Sequence, residues 1–227
     1  MGGPTLGGSL TGPAPVVPGS IGVMGGTFDP VHIGHLAAAE EAREALGLEL
    51  VLFVPAGLPP HKTHATVTSA THRLAMVELA IAGHAAFAAS RLEVDRRGPS
   101  WTADTVERLA AAERAAGREP DLTLILSAET FRGLPGWHEP DRLLAACRIA
   151  VVPRASIDVP DAAWLAEHLP TAAARIVRLE GPRLDLSSTQ IRRRAAAGRS
   201  LRYLVPDAVA AYIGDHGLYR DEPWSER

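Results

Sequence analysis

Short runs of apolar residues, each followed by a longer stretch with helical periodicity, recur along this chain from residue 21 onward. A brief run buried on both sides makes a parallel strand, and two parallel strands need a crossover long enough to hold a helix. Strands are expected at residues 21–24, 50–54, 91–94, 122–126, 148–152 and 175–179. Helices are expected at 35–46, 69–82, 102–116, 141–146, 161–168, 187–197 and 206–215, with 127–134 a loop or short helix. Gly47, Gly198 and Gly217 sit where helices stop, Pro206 where one starts, and Thr102 reads as an N-cap. The pattern implies an α/β chain: a parallel sheet with helices on both faces and a C-terminal helical extension over about 187–220.

The 227 residues are 46% hydrophobic, enough to bury one ordinary core, and show neither an internal repeat nor a second core. Residues 21–220 therefore read as one domain. Residues 1–20 are rich in Gly, Pro, Ser and Thr, without a basic start or a clean apolar stretch, and read as a disordered leader. No run of 18 apolar residues occurs, so no membrane partner is expected. The balance of 23 basic against 26 acidic residues gives a net charge of −3, without the broad positive field that non-specific nucleic-acid binding uses. A single cysteine, Cys147, excludes an internal disulfide and fits a reducing, cytoplasmic compartment. Among the basic residues there is one lysine, Lys62. Codon bias accounts for the general excess of arginine, and the surviving lysine suits a site that needs a compact ammonium, such as a phosphate site.

In a sheet of this kind, ligands sit beyond the carboxyl ends of the strands, at the crevice where strand order reverses. The segments to inspect are thus 25–35, 55–64, 98–105, 127–137 and 184–194. In the first, Gly25-Gly26-Thr27-Phe28-Asp29-Pro30-Val31-His32-Ile33-Gly34-His35, the glycine pair removes side chains where a phosphate must meet backbone N–H groups. Two histidines three apart fall on one side of a first helical turn, where the helix terminus favours an anion. Zinc is the alternative ligand, but no cysteine or acidic partner at ligand spacing accompanies the pair, and no metal ligand is assigned.

The string GGTFDPVHIGH resembles the HxGH signature of the nucleotidylyltransferase superfamily, with His32 and His35 in its histidine positions. The resemblance implies that these residues contact ATP phosphates and stabilise the transition state of adenylyl transfer, with Gly25, Gly26, Thr27 and Phe28 forming the surrounding loop. Leu186-Ser187-Ser188-Thr189-Gln190-Ile191-Arg192 resembles the family's (I/L)SSTxIR element. There, hydroxyls and a helix N-terminus bind ATP phosphate, and Arg192 sits one turn along, able to reach an anion; plain capping is the other reading. Pro59-Pro60-His61-Lys62 resembles the PPHK loop of the bacterial nicotinate-nucleotide adenylyltransferase branch, in which the lysine reaches phosphate. Ser100-Trp101-Thr102-Ala103-Asp104-Thr105 is similar to that branch's SYTxDT element, which implies nicotinate carboxylate binding at Thr102. Trp137 matches the tryptophan on which relatives stack the pyridine ring. For Thr102 a helix cap, and for Trp137 a core position, remain the plainer readings. Arg73 also has a counterpart in relatives and is expected near the sheet edge, without an assigned role.

One element departs from the pattern. Where relatives read Gly-Ala-Asp after the central strand, this chain has Ser127-Ala128-Glu129, so the ribose-binding carboxylate would be Glu129, one methylene longer. The resemblance spans about residues 21–220. It implies a Rossmann-like fold and transfer of AMP from ATP to nicotinate mononucleotide, in NAD biosynthesis, with Mg²⁺ on the pyrophosphate. His35 is then the first choice for the developing charge, assisted by His32, Lys62 and Arg192. Other acceptors, nicotinamide mononucleotide or phosphopantetheine, and a catalytically silent nucleotide-binding paralogue are the competing expectations. Whether copies assemble as a homo-oligomer is left open.

Overall fold

The computed structural model describes residues 19–57 and 67–220. The sequence expectations for Lys62 with its neighbours Pro59, Pro60 and His61, and for nearly all of the leader, lie outside the described residues. Six strands, β1 (Ile21–Gly26), β2 (Leu50–Pro55), β3 (Phe87–Ala89), β4 (Leu122–Ser127), β5 (Arg148–Val152) and β6 (Ile176–Arg178), form one sheet. Their order is β3-β2-β1-β4-β5-β6, and every neighbouring pair is parallel. This is the doubly wound, Rossmann-like order, whose reversal falls between β1 and β4.

The strand sequences supply both faces of the sheet. Because successive side chains point to opposite sides, Leu124 and Leu126 of β4 enter one core and Ile125 the other; Ile149 and Val151 of β5 part from Ala150 and Val152 in the same way. Helices α1 (Ile33–Leu46), α2 (Ala70–Ile81), α7 (Ser188–Ala196) and α8 (Asp207–Asp215) contribute to the first core. The second is covered by α3 (Thr102–Ala115), α4 (Ala128–Arg132), α5 (Pro140–Ala146) and α6 (Ala162–His168). Ile191 of α7 and Val209 and Ile213 of α8 are buried with Val51 and Phe53 of β2, so the C-terminal helices form part of one wall of the fold. Among the described residues, no helix is long and apolar enough to cross a membrane.

Two local expectations are corrected. Residues 91–94 are not a strand: the edge strand β3 ends at Ala89 and the chain then turns, with the Asp95 N–H bonded to the Arg91 carbonyl at 2.9 Å. The turn buries Glu93, whose carboxylate accepts a 2.6 Å hydrogen bond from the Thr105 hydroxyl. Four alternating residues fit the strand template equally well, so the pattern alone did not discriminate. Thr102 is not an N-cap but the first helical residue of α3; Trp101, in extended conformation, precedes the helix. Most other boundaries fall within one or two residues of expectation, and α1 begins at Ile33 with His32 as its N-cap.

Candidate active site

The turn after β1 is shaped by its small residues. A Cβ on Gly26 would come 3.1 Å from the Phe28 ring, closer than ordinary contact, so glycine gives that ring room to fold back beneath the turn. Phe28 itself has a positive φ of 51°, an uncommon conformation for a bulky residue, and its buried ring meets His35 edge-on with centroids 5.0 Å apart. A Cβ on Gly25 would meet no protein atom within 4 Å, because that position opens into the cavity described below.

At the start of α1 the rings of His32 and His35 stack with centroids 3.7 Å apart. The His32 backbone N–H donates to His35 Nδ1 at 3.2 Å, which leaves the proton of a neutral His35 on Nε2. Gly34 permits this stacking: a Cβ there would lie 3.1 Å from His32 Nδ1. Burial, reinforced by the nearby Arg154 guanidinium, pushes the His32 pKa down to about 4. His35 is lowered well below the ordinary imidazole value by burial, by His32 and by Arg154. Both rings are therefore neutral near pH 7 and act as hydrogen-bonding groups, not as fixed cations. Nδ1 of His32, a residue 5% exposed, is buried without a hydrogen-bond partner among the described residues.

The N-terminus of α7 is fastened to this turn. Ser187 caps the helix by accepting the Gln190 N–H, and the Gln190 side chain returns the bond to the Ser187 N–H. The Ser188 hydroxyl donates to the Pro30 carbonyl at 2.9 Å, and Arg192 Nη1 donates to the Asp29 carbonyl at 2.7 Å. From below, the Asp29 carboxylate accepts the Tyr219 hydroxyl at 2.7 Å and the Thr68 N–H at 3.1 Å. Burial and Asp29 push the Tyr219 phenol upward, keeping it protonated as the donor. Arg73, expected at the sheet edge, is 1% exposed and donates to the carbonyls of Thr27, Ala56, Gly57 and Thr68.

Two cavities open at the carboxyl end of the sheet. The larger, about 420 Å³, is lined by Gly25, Gly26, Thr27, Phe28, His32, His35, Ser127, Glu129, Arg154, Ser187 and Ser188, among others. The smaller, about 240 Å³, is lined by Glu93, Ser100, Trp101, Thr102, Thr105, Trp137 and His138, with Val54 and Ala56 beside them. Gly25, Gly26, Thr27, Leu126 and Thr130 line both, so the two spaces meet over the reversal between β1 and β4.

Of the sequence candidates, the structure thus gathers the β1 turn, both histidines, Ser127, Glu129, Ser187 and Ser188 around one cavity, and Thr102 and Trp137 around its neighbour. Thr189 and Arg192 are not on either wall; Arg192 Nη2 donates to the Thr189 hydroxyl at 3.2 Å while Nη1 braces the β1 turn. Three polar groups, Glu93, Thr130 and Arg154, escaped the sequence reading. Glu93 lies in the smaller cavity, and burial raises its carboxyl pKa. Arg154 follows β5 by two residues, and the rule about strand ends, applied to β5, would have found it.

Comparison with known proteins places the chain in a family. The cytidylyltransferase-like family model matches residues 23–194. A protein of Roseiflexus sp. (strain RS-1) named "Probable nicotinate-nucleotide adenylyltransferase" is 50% identical over 202 residues, covering 88% of this chain and 98% of that protein. One of the same name from Dehalococcoides mccartyi is 40% identical over 198 residues, 87% of this chain and 96% of the other. The fold matches that of the Plasmodium falciparum nicotinic acid mononucleotide adenylyltransferase complexed with NaAD, with a TM-score of 0.73 at 16% identity, covering 89% of this chain and 98% of that one. This chain belongs to the cytidylyltransferase-like family, and within it to the group of nicotinate-nucleotide adenylyltransferases.

Proposed function

We propose that the chain transfers AMP from ATP to nicotinate mononucleotide, giving deamido-NAD and pyrophosphate. The observation that carries this reading is the shared wall of the two cavities: a donor in the larger and an acceptor in the smaller would meet over Gly25, Gly26 and Thr27. A phosphate oxygen of the mononucleotide attacks the α-phosphorus in line; the new P–O bond forms as the bond to the pyrophosphate oxygen breaks. No protein nucleophile takes part, so catalysis rests on positioning and on donors aimed at developing charge.

His35 offers its Nε2–H to the transferred phosphoryl group, supported by the imidazole of His32 stacked on it. Ser187, Ser188 and the first N–H groups of α7 suit the polyphosphate, as does Arg154. Lys62 is assigned to the same phosphates, Arg192 holds the turn that presents them, and Ser127 and Glu129 flank the adenosine. Thr102 and the α3 N-terminus suit the nicotinate carboxylate, and the Trp137 indole suits its ring.

Among the described residues no three His, Cys, Asp or Glu side chains gather as a metal cage. The oxygen donors Ser127, Thr130 and Ser187 nevertheless suit a hard cation that is bound chiefly by phosphates. Mg²⁺ would supply neutralisation of the pyrophosphate as it leaves.

The experiment is pyrophosphate release from ATP with nicotinate mononucleotide or nicotinamide mononucleotide, each with and without Mg²⁺. Turnover with the acid, dependent on Mg²⁺, is expected. Preference for the amide overturns the acceptor assignment, and ATP binding without turnover identifies a silent nucleotide-binding protein.

A further inference from the structure

Arg154 is held at the mouth of the larger cavity by groups from two other segments. Its Nη1 lies 2.7 Å from Glu129 Oε2 on α4, and its Nη2 lies 3.3 Å from Asp185 Oδ1 and donates to the Leu186 carbonyl at 3.1 Å. Glu129 and Asp185 are more than half exposed, while Arg154 is 24% exposed on the wall it shares with His32, His35 and Ser187. Its field reaches the site, since it contributes to lowering both histidine pKa values. A guanidinium so placed is well suited to phosphate oxygens, yet its fork is already engaged by two carboxylates.

Glu129 stands where the resembled pattern has an aspartate for the ribose. The longer stem instead spans to Arg154, and an anion there would repel an incoming polyphosphate if its partner were taken away. Uncharged hydroxyls remain beside it for sugar contacts: Ser127 Oγ and Thr130 Oγ1 are 2.9 Å apart on the same wall.

Resting on the adenylyl-transfer reading, we infer that Glu129 is the internal counterion that Arg154 exchanges for polyphosphate, not a ribose acceptor, and that this exchange sets how tightly the donor nucleotide binds. Glu129 and Arg154 thus form a pair that the ligand's own charge must open. Because the pair is solvent-exposed, the exchange weakens binding modestly, by about two- to fivefold.

The test is equilibrium calorimetry on the full chain, with ATP, inorganic tripolyphosphate and adenosine as separate probes. Glu129→Gln is expected to tighten ATP and tripolyphosphate by about two- to fivefold and to leave adenosine unchanged. Arg154→Ala is expected to weaken both polyphosphate probes, and the gain from Glu129→Gln should shrink in that background. Weaker ATP and adenosine binding in Glu129→Gln, with tripolyphosphate unchanged, makes Glu129 a ribose acceptor and overturns the inference. So does a variant that leaves all three probes unaltered. Wild-type protein that binds neither ATP nor tripolyphosphate overturns the adenylyl-transfer reading itself, and this assignment with it.

Discussion

His35 stacks on His32 with its Nδ1 bonded to the His32 backbone N–H, 3.2 Å away, so the backbone of one histidine fixes the tautomer of the other while its ring covers it. This geometry leaves Nε2–H as the hydrogen that a neutral His35 can donate. Replacing His35 with Ala should lower kcat by about 10² or more, the range for losing one well-placed donor to developing charge. Steady-state pyrophosphate release by a variant with unchanged circular dichroism checks this, and near wild-type turnover rejects the role.

The depressed histidine pKa values make a pH prediction with a definite sign. Between about 6.5, the ordinary value, and about 4, the value of folded His32, the unfolded chain binds a proton that the native site refuses. Stability is therefore lost as pH falls through that window and is insensitive to this group above it. His35 adds to the same trend. Chemical denaturation from pH 7 to pH 4, alongside an NMR titration of His32, measures it; a His32 midpoint near 6.5 contradicts the assignment.

Arg73 gathers the carbonyls of Ala56 and Gly57 after β2, of Thr68 before α2 and of Thr27 in the β1 turn. Arg73→Met removes the donor common to all four while leaving the carbonyls buried. Hydrogen bonds from charged groups contribute about 1.5–3 kcal/mol each, with losses that do not add, so destabilisation of at least about 3 kcal/mol is expected. Urea unfolding should show an earlier midpoint; a loss under about 1 kcal/mol shows that the surrounding backbone does not depend on this side chain.

Trp137 and Thr102 line the smaller cavity and not the larger. Trp137→Ala should raise KM for nicotinate mononucleotide by about tenfold, as stacking on an aromatic contributes about 1–3 kcal/mol, with KM for ATP nearly unchanged. Equal effects on both substrates would show that the indole supports the fold and not the acceptor.

The sheet was legible where burial wrote itself into composition. Runs such as Leu50 to Val54 and Leu122 to Leu126 are apolar on both faces because helices cover both faces. β3 was not legible: Phe87-Ala88-Ala89 is a three-residue edge strand, while the neighbouring 91–94 segment carries a better alternation and yet forms a turn that buries Glu93. The start of α1 and the cap of α7 were readable from short motifs because the His32–His35 and Ser187–Gln190 bonds are local. The partners of Arg73 and Arg154 were not, since they come from remote segments, and a sequence does not show which oxygens a fold brings to one guanidinium.

The bond from Tyr219 to Asp29 joins residues 190 positions apart, and those from Ser188 and Arg192 to the same turn span almost as many. The turn that carries both histidines is thus braced by side chains from the far side of the sheet's connectivity. The six strands can pair without the segment 188–219, but the turn that borders the larger cavity would then lose three of its braces.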